Sequence, residues 1–270
     1  MASTHQPSRV RLHHLMQAKA ERRPITMLTA YDALTAPIFE AAGVDMLLVG
    51  DSIGNVMLGH DSTLTVSLDD MERAVGAVAR STKRPLIVAD LPFGTYETGP
   101  FQAFESATRL MRAGAHAVKL EGGAERIPAV EMLVDGGIPV MGHLGYTPQS
   151  EHALGGPRLQ GRGEQGEKLW ADALALQEAG AFALVLEMVP AQLAKEVTRA
   201  VRIPTIGIGA GPRCDGQVLV WSDMAGMTEW TPSFVRRFAE LGAALEGAAS
   251  EYVAAVRDGS FPGPDNYRVQ

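Results

Sequence analysis

One repeated unit constrains this chain more than any other feature: a helix-like segment, a small-residue stop, a short apolar run, then a polar residue. Ala42-Gly43 leads into residues 46–50, Ala113-Gly114 into 117–120, Gly136-Gly137 into 138–141 and Ala179-Gly180 into 182–186. Glycine just past a helix accepts the left-handed backbone that ends it. Short runs that are apolar throughout, without polar alternation, suit strands buried on both faces of a parallel sheet. Further strands are expected at 25–30, 86–89, 205–208 and 218–221. Between them, Ser67 and Asp70 form a capping-box pattern ahead of Met71, Val75 and Val78. Phe101, Phe104, Leu110 and Met111 share one helical stripe, as do Leu169, Ala173 and Leu176.

About eight strands alternating with helices predict the α/β class and a single (β/α)₈ TIM barrel, with an open doubly wound sheet as runner-up. Residues 13–22 read as an extra N-terminal helix and 232–256 as C-terminal helices. The 270 residues, 46% of them hydrophobic, show no composition shift or linker and read as one domain, 1–270, with 1–10 as a disordered tail.

The net charge of −7 argues against a nucleic-acid binder, which usually presents a basic face. Residues 1–11 lack the apolar centre of a secretory signal. No apolar stretch approaches the roughly 20 residues that span a bilayer. Cys214 is the only cysteine, so neither an intramolecular disulfide nor a structural zinc site is expected. A soluble cytoplasmic protein is the expectation.

The carboxylates fall at telling positions. Asp51 follows 46–50, Asp90 follows 86–89, Glu121 follows 117–120 and Glu187 follows 182–186. In a parallel barrel the carboxyl ends of all strands lie on one face, where active sites are built. Acids distant in sequence would converge there and repel, and a divalent cation relieves that repulsion. Oxygen ligands alone suit Mg²⁺. Taken singly, Asp51 and Asp90 also fit helix caps or turns, and Glu121 fits a solvated loop. Lys119 lies two residues before Glu121, so a strand would point both to one face. Such a lysine needs an anion, either a ligand or a buried structural partner.

Two glycine-rich stretches read as decoys. Gly161-Arg162-Gly163-Glu164-Gln165-Gly166 spells the dinucleotide fingerprint, but polar residues 152–160 precede it where a strand is required. A mobile loop over the barrel mouth, with Arg158 and Arg162 meeting an anionic ligand, is the expectation there. Residues 207–211 follow a strand but lack the final glycine, which favours close strand-to-loop packing over phosphate binding.

Several blocks together resemble the ketopantoate hydroxymethyltransferases. They are Gly50-Asp51-Ser52-Ile53-Gly54 with Gly59-His60, Ala89-Asp90-Leu91-Pro92-Phe93, and Val118-Lys119-Leu120-Glu121-Gly122-Gly123. Gly142-His143-Leu144-Gly145 with Thr147-Pro148-Gln149-Ser150 follows, then Gln160-Gly161-Arg162-Gly163 and Leu186-Glu187 with Val189-Pro190. Residues 207–211 and Asp215-Gly216-Gln217 complete a match over about residues 11–267, in the expected order. The chain departs from the family pattern at Tyr146, at 96–100 and at 163–168, all in connecting loops, which bears on folate contacts and lid behaviour.

The resemblance implies a (β/α)₈ barrel, Mg²⁺, 5,10-methylenetetrahydrofolate as co-substrate, and a homo-oligomer, typically a decamer. The implied reaction forms 2-dehydropantoate from 3-methyl-2-oxobutanoate, in pantothenate and coenzyme A biosynthesis, through a Mg-stabilised enolate. By motif, Asp51 and Asp90 are implied metal ligands, with Glu121 completing the metal environment. Ser52, Asp90 and Lys119 are implied contacts to the 2-oxo acid, alongside Asp51, and Glu187 is the implied base. His143, at a strand end, has two readings: a hydrogen-bonding or proton-shuttling role, or a satisfied structural group. The rival is another Mg²⁺-dependent barrel of the phosphoenolpyruvate mutase and isocitrate lyase type. Those enzymes usually carry a catalytic cysteine or phosphate-binding residues on a loop, and Cys214, beyond the 205–208 strand, has no second acidic motif around it.

Overall fold

A computed structural model describes residues 8–268. Its strands are β1 (Ile25–Thr29), β2 (Met46–Val49), β3 (Leu86–Asp90), β4 (Ala117–Glu121), β5 (Val140–Gly145), β6 (Ala183–Glu187), β7 (Thr205–Ile208) and β8 (Gly216–Leu219). They close in sequence order into one barrel, with every neighbouring pair parallel and β8 returning to β1. The expected TIM barrel is therefore the observed fold, and the open sheet is excluded.

The helices are α1 (Leu12–Ala20), α2 (Thr35–Ala41), α3 (Ile53–Val56), α4 (Leu68–Ser81), α5 (Pro100–Ala113), α6 (Ile127–Asp135), α7 (Glu151–Leu154), α8 (Glu164–Glu178), α9 (Ala191–Ala200), α10 (Trp221–Met224) and α11 (Leu241–Asp258). The capping box forms at the start of α4: Ser67 Oγ accepts from the Asp70 N–H at 3.2 Å, and Asp70 Oδ2 accepts from the Ser67 N–H at 3.1 Å. Helix α5 stops at Gly114, whose φ of +120° and an ideal Cβ only 2.5 Å from Ala79 Cβ both require glycine.

Two strands differ from expectation. β5 was expected at 138–141 but runs from Val140 to Gly145, because glycines and His143 interrupt its apolar run. β8 begins at Gly216 rather than residue 218, and Trp221 opens α10. Gly216 pairs with both Ile25 and Ile206, and a Cβ there would lie 2.5 Å from the Ile25 carbonyl oxygen. Only glycine admits that approach, yet glycine does not read as strand.

The side chains alternate inward and outward along each strand. Met46, Leu48, Leu86, Val88, Ala117, Met141, Ala183, Val185 and Ile206 share one apolar cluster, which Leu15 and Ala18 of α1 join. Asp90, Lys119, Glu121, His143 and Glu187 continue the same alternation one or two steps towards the strand carboxyl ends. The apolar cluster thus becomes a floor beneath a ring of polar groups.

The chain falls into two compact units, Met1–Leu219, which holds the barrel, and Val220–Gln270. In the second, the helices expected over 232–256 reduce to α11, which starts only at Leu241. The N–H groups of Phe238 and Leu241 donate to Met224 O at 2.8 Å and Ala225 O at 2.9 Å, so their donors are spent outside a helix. At the N-terminus, most of the tail expected over 1–10 lies outside the described residues. Val10, at its end, is 2% exposed and donates to Arg84 O at 2.7 Å.

Candidate active site

The barrel brings the sequence-selected acids to one mouth. Pairing between strands places Asp90 beside Lys119, Glu121 beside His143 and Gly145 beside Glu187. Lys119 Nζ lies 3.0 Å from Asp90 Oδ1 and 3.8 Å from Glu121 Oε1. His143 Nδ1 lies 3.2 Å from Glu121 Oε1 and Nε2 lies 3.2 Å from Glu187 Oε2. Asp51, just past β2, donates its backbone N–H to Asp90 Oδ2 at 3.1 Å. Ser52 Oγ is 2.8 Å from the Tyr31 hydroxyl. An ideal Cβ on Gly50 would stand 2.9 Å from Ser52 Oγ and 3.3 Å from Asp90 Oδ2, so the bare backbone there lets these groups close up. Asp51, Asp90, Lys119, Glu121 and His143 are all buried, whereas the Glu187 side chain keeps 16% exposure.

Burial and like charge govern the electrostatics. Burial holds the Asp51 carboxyl well above the usual carboxylate range, and Asp90 and Glu121 add to the effect. Burial also raises Asp90, with Lys119 opposing. Burial would raise Glu121 too, but His143, Lys119 and the Gln149 N–H outweigh it and leave Glu121 lowered. For His143, burial and Lys119 work against charge, yet Glu121 and Glu187 prevail and push it up to about 9. Lys119, against its own burial, is raised by Asp90, Glu121 and Asp51 and stays charged.

Sequence reasoning gave no role to two residues that organise this ring. Gln149 lies in the turn Pro148–Ser150 after β5 and Tyr96 precedes α5. The Gln149 N–H donates to Glu121 Oε2 at 3.0 Å, and its Nε2 donates to Asp51 Oδ2 and Leu91 O, each at 2.9 Å. The Tyr96 hydroxyl donates to Gln149 Oε1 and accepts the Glu121 N–H at 3.2 Å. Their traces in the sequence are that Gln149 belongs to a family-like block and that Tyr96 opens the stretch 96–100, which departs from the family pattern.

The decoys resolve structurally. No strand precedes residues 161–166, and Glu164 already opens α8, so the loop expected over 163–168 is the first turns of a helix. Arg158 turns back to donate to Gly155 O. A Cβ on Gly207 would meet Cys214 Sγ at 3.0 Å, the close packing expected of 207–211.

The donor set fits a hard cation. Among the described residues no group of three or more His, Cys, Asp or Glu stands ready to enclose a metal. A Mg²⁺ site needs only one or two carboxylates, with water and substrate oxygens completing it. Asp51 and Asp90 offer that pair. Asp51 is raised by burial first and by its acidic neighbours next, and buried Asp90 Oδ1 has Lys119 close by but no well-aligned hydrogen bond. Crowded acids and an oxygen with bonding capacity to spare suit a cation.

Barrels with titratable groups gathered at the strand carboxyl ends form a class of enzymes that work at that face. The ketopantoate hydroxymethyltransferase family model matches residues 9–264. The 3-methyl-2-oxobutanoate hydroxymethyltransferase of Saccharopolyspora erythraea is 56% identical, with 96% of this chain and 89% of that one covered. The enzyme of the same name from Corynebacterium glutamicum is 57% identical over 94% of this chain and 96% of its own. The chain belongs to the ketopantoate hydroxymethyltransferase family and is a hydroxymethyltransferase. In fold it resembles a phosphonopyruvate hydrolase solved with oxalate and Mg²⁺, with a TM-score of 0.62, 15% identity and coverage of 94% and 92% of the two chains. It also resembles 2,3-dimethylmalate lyase, at TM-score 0.59, 18% identity and coverage of 96% and 91%. At such identities the likeness is one of fold.

Proposed function

We propose that the chain transfers a hydroxymethyl group from 5,10-methylenetetrahydrofolate to 3-methyl-2-oxobutanoate, giving 2-dehydropantoate for pantothenate synthesis, by way of the enolate of the oxo acid. The observation that carries this reading is the opposition across one mouth of a carboxylate 3.2 Å from His143 Nε2, Glu187, and an acid pair with a lysine, Asp51, Asp90 and Lys119. Asp51 and Asp90 would hold Mg²⁺, with Glu121 in its outer environment. A cation there supplies Lewis-acid stabilisation of the negative charge that develops on the keto oxygen.

The chain's own groups do the rest. Lys119 presents its ammonium to the oxo acid's oxygens, and the Ser52 hydroxyl, steadied by Tyr31, adds a donor on the same side. Glu187 accepts the C3 proton, and His143 fixes the carboxylate that does so. Water breaks both C–N bonds of the folate methylene bridge, leaving its two protons on the freed nitrogens of tetrahydrofolate and its oxygen on a formaldehyde-level carbon. The electron pair left at C3 adds to that carbon, and the resulting alkoxide takes the proton held by Glu187 to give the hydroxymethyl group. The motif blocks and family membership support the folate donor, a homo-oligomer of decameric type and a cytoplasmic setting.

The test is exchange of the C3 proton of 3-methyl-2-oxobutanoate into deuterated water, followed by NMR with Mg²⁺ present. The wild type should exchange it. Glu187→Gln should bind the oxo acid yet lose about 10²–10⁴-fold in exchange rate. Normal exchange by the variant removes Glu187 from the role of base. Turnover of phosphonopyruvate or 2-methylisocitrate in place of the oxo acid and folate would overturn the whole reading.

A further inference from the structure

Gln149 ties together parts of the mouth that the barrel alone leaves separate. It is 6% exposed and lies just beyond β5, yet its hydrogen bonds reach the ends of β2, β3 and β4. Its backbone N–H orients Glu121, while its side chain bridges Asp51 and the Leu91 carbonyl. The Leu91 oxygen can only accept, so the amide nitrogen must face it, and the orientation of the amide is determined rather than assumed. Tyr96 enforces the same orientation from the opposite end. Its hydroxyl accepts the Glu121 N–H, and of the two acceptors within reach of its own proton, Gln149 Oε1 is much nearer than Glu121 O at 3.5 Å. The direction of every bond in the chain is therefore set, from the Glu121 backbone through Tyr96 and Gln149 to the Asp51 carboxylate. A neutral amide is also the donor an acid-crowded pocket tolerates best, because it orients Asp51 without cancelling its charge, as a second lysine would.

We propose that Gln149, locked by Tyr96, is the positioning residue that sets the Asp51 carboxylate for Mg²⁺ and the 2-oxo acid. This rests on the metal reading above for its consequence, but not for its geometry. Partners that orient ligand groups from outside the coordination sphere typically change metal affinity by about 10–100-fold when removed.

Three variants test it: Gln149→Met, which keeps length and loses the bonds; Tyr96→Phe, which removes one oxygen; and the double variant. Isothermal titration with Mg²⁺ alone should show binding about 10–100-fold weaker in Gln149→Met and a smaller loss in Tyr96→Phe. The double variant should be no worse than Gln149→Met, since the two residues act in series. Crystal structures of the metal-free proteins supply a second readout: the Asp51 carboxylate should leave its wild-type orientation in both single variants.

Unchanged Mg²⁺ affinity together with an unmoved carboxylate overturns the proposal, and so do losses that simply add in the double variant. If Gln149→Met does not fold, Tyr96→Phe decides by the same two measurements. A wild type that binds no Mg²⁺ sinks the metal reading instead, and the carboxylate orientation then decides the positioning role alone.

Discussion

His143 Nε2 stands 3.2 Å from Glu187 Oε2, while the other nitrogen of the same ring stands 3.2 Å from Glu121 Oε1. One imidazole thus sits between a carboxylate on β4 and another on β6, with Lys119 Nζ also 3.2 Å from Nδ1, and the two acids outweigh burial and the lysine to push the ring up to about 9. His143→Gln should therefore lower kcat by about 10²-fold, the scale of loss for a misplaced reacting group, with a smaller change in KM for the oxo acid. Steady-state kinetics at saturating Mg²⁺ check this. An unchanged kcat would leave the histidine as packing alone.

Asp51→Asn should separate stability from function. Asp51 is held above the usual carboxylate range by burial first and by Asp90 and Glu121 next, so its charge opposes folding at neutral pH. Removing it should raise the melting temperature of the metal-free protein by a few degrees, about 1 kcal/mol being worth roughly 2–4 °C at this size. The same variant should lose Mg²⁺-dependent activity. Calorimetric scans with and without Mg²⁺, beside the assay, give both numbers.

Lys119→Met should act in the opposite sense. The lysine is 3% exposed and stands between Asp90 at 3.0 Å and Glu121 at 3.8 Å. Truncation leaves buried acids without their cation, and breaking a buried pair from one side costs about 3–5 kcal/mol. Urea unfolding measures the loss, and the added variant Asp90→Asn should recover part of it.

His116 makes stability depend on acid at a place far from the chemistry. Burial, then Arg9 and Arg11, push its value down from 6.5 to about 4, and Nδ1 accepts the Ile87 N–H at 3.0 Å. The unfolded chain takes up the proton below pH 6.5 while the folded one resists until about 4. Stability is therefore whole above that window and falls as pH drops through it. Partial exposure weakens the effect through solvent screening. His116→Gln should flatten the wild-type decline between those limits when unfolding is followed as a function of pH.

The fold was legible because a parallel barrel writes its strands as continuous apolar runs. All eight begin within two residues of where those runs predict, six of them within one, and Thr205–Ile208 matches at both ends. β5 and β8 blurred where Gly142, His143 and Gly216 perform strand duties without apolar side chains. The acids announced themselves by sitting one step past such runs, and Lys119 by sharing the parity of Glu121. Gln149 and Tyr96 were not legible in the same way. Their roles lie in contacts across 98 positions to Asp51 and 25 to Glu121, and no local pattern encodes a bond between turns that only barrel closure brings together.

The apolar floor below the polar ring has a consequence for how the site tolerates change. Met46, Val88, Ala117, Met141 and Val185 keep solvent from reaching the acids from underneath, so each charge feels its neighbours at close to full strength. Drift in that floor would alter proton affinities at the mouth without touching a single group there. A hydrophobic layer that looks like scaffolding is thereby also a tuning element, and its residues are constrained by chemistry they never contact.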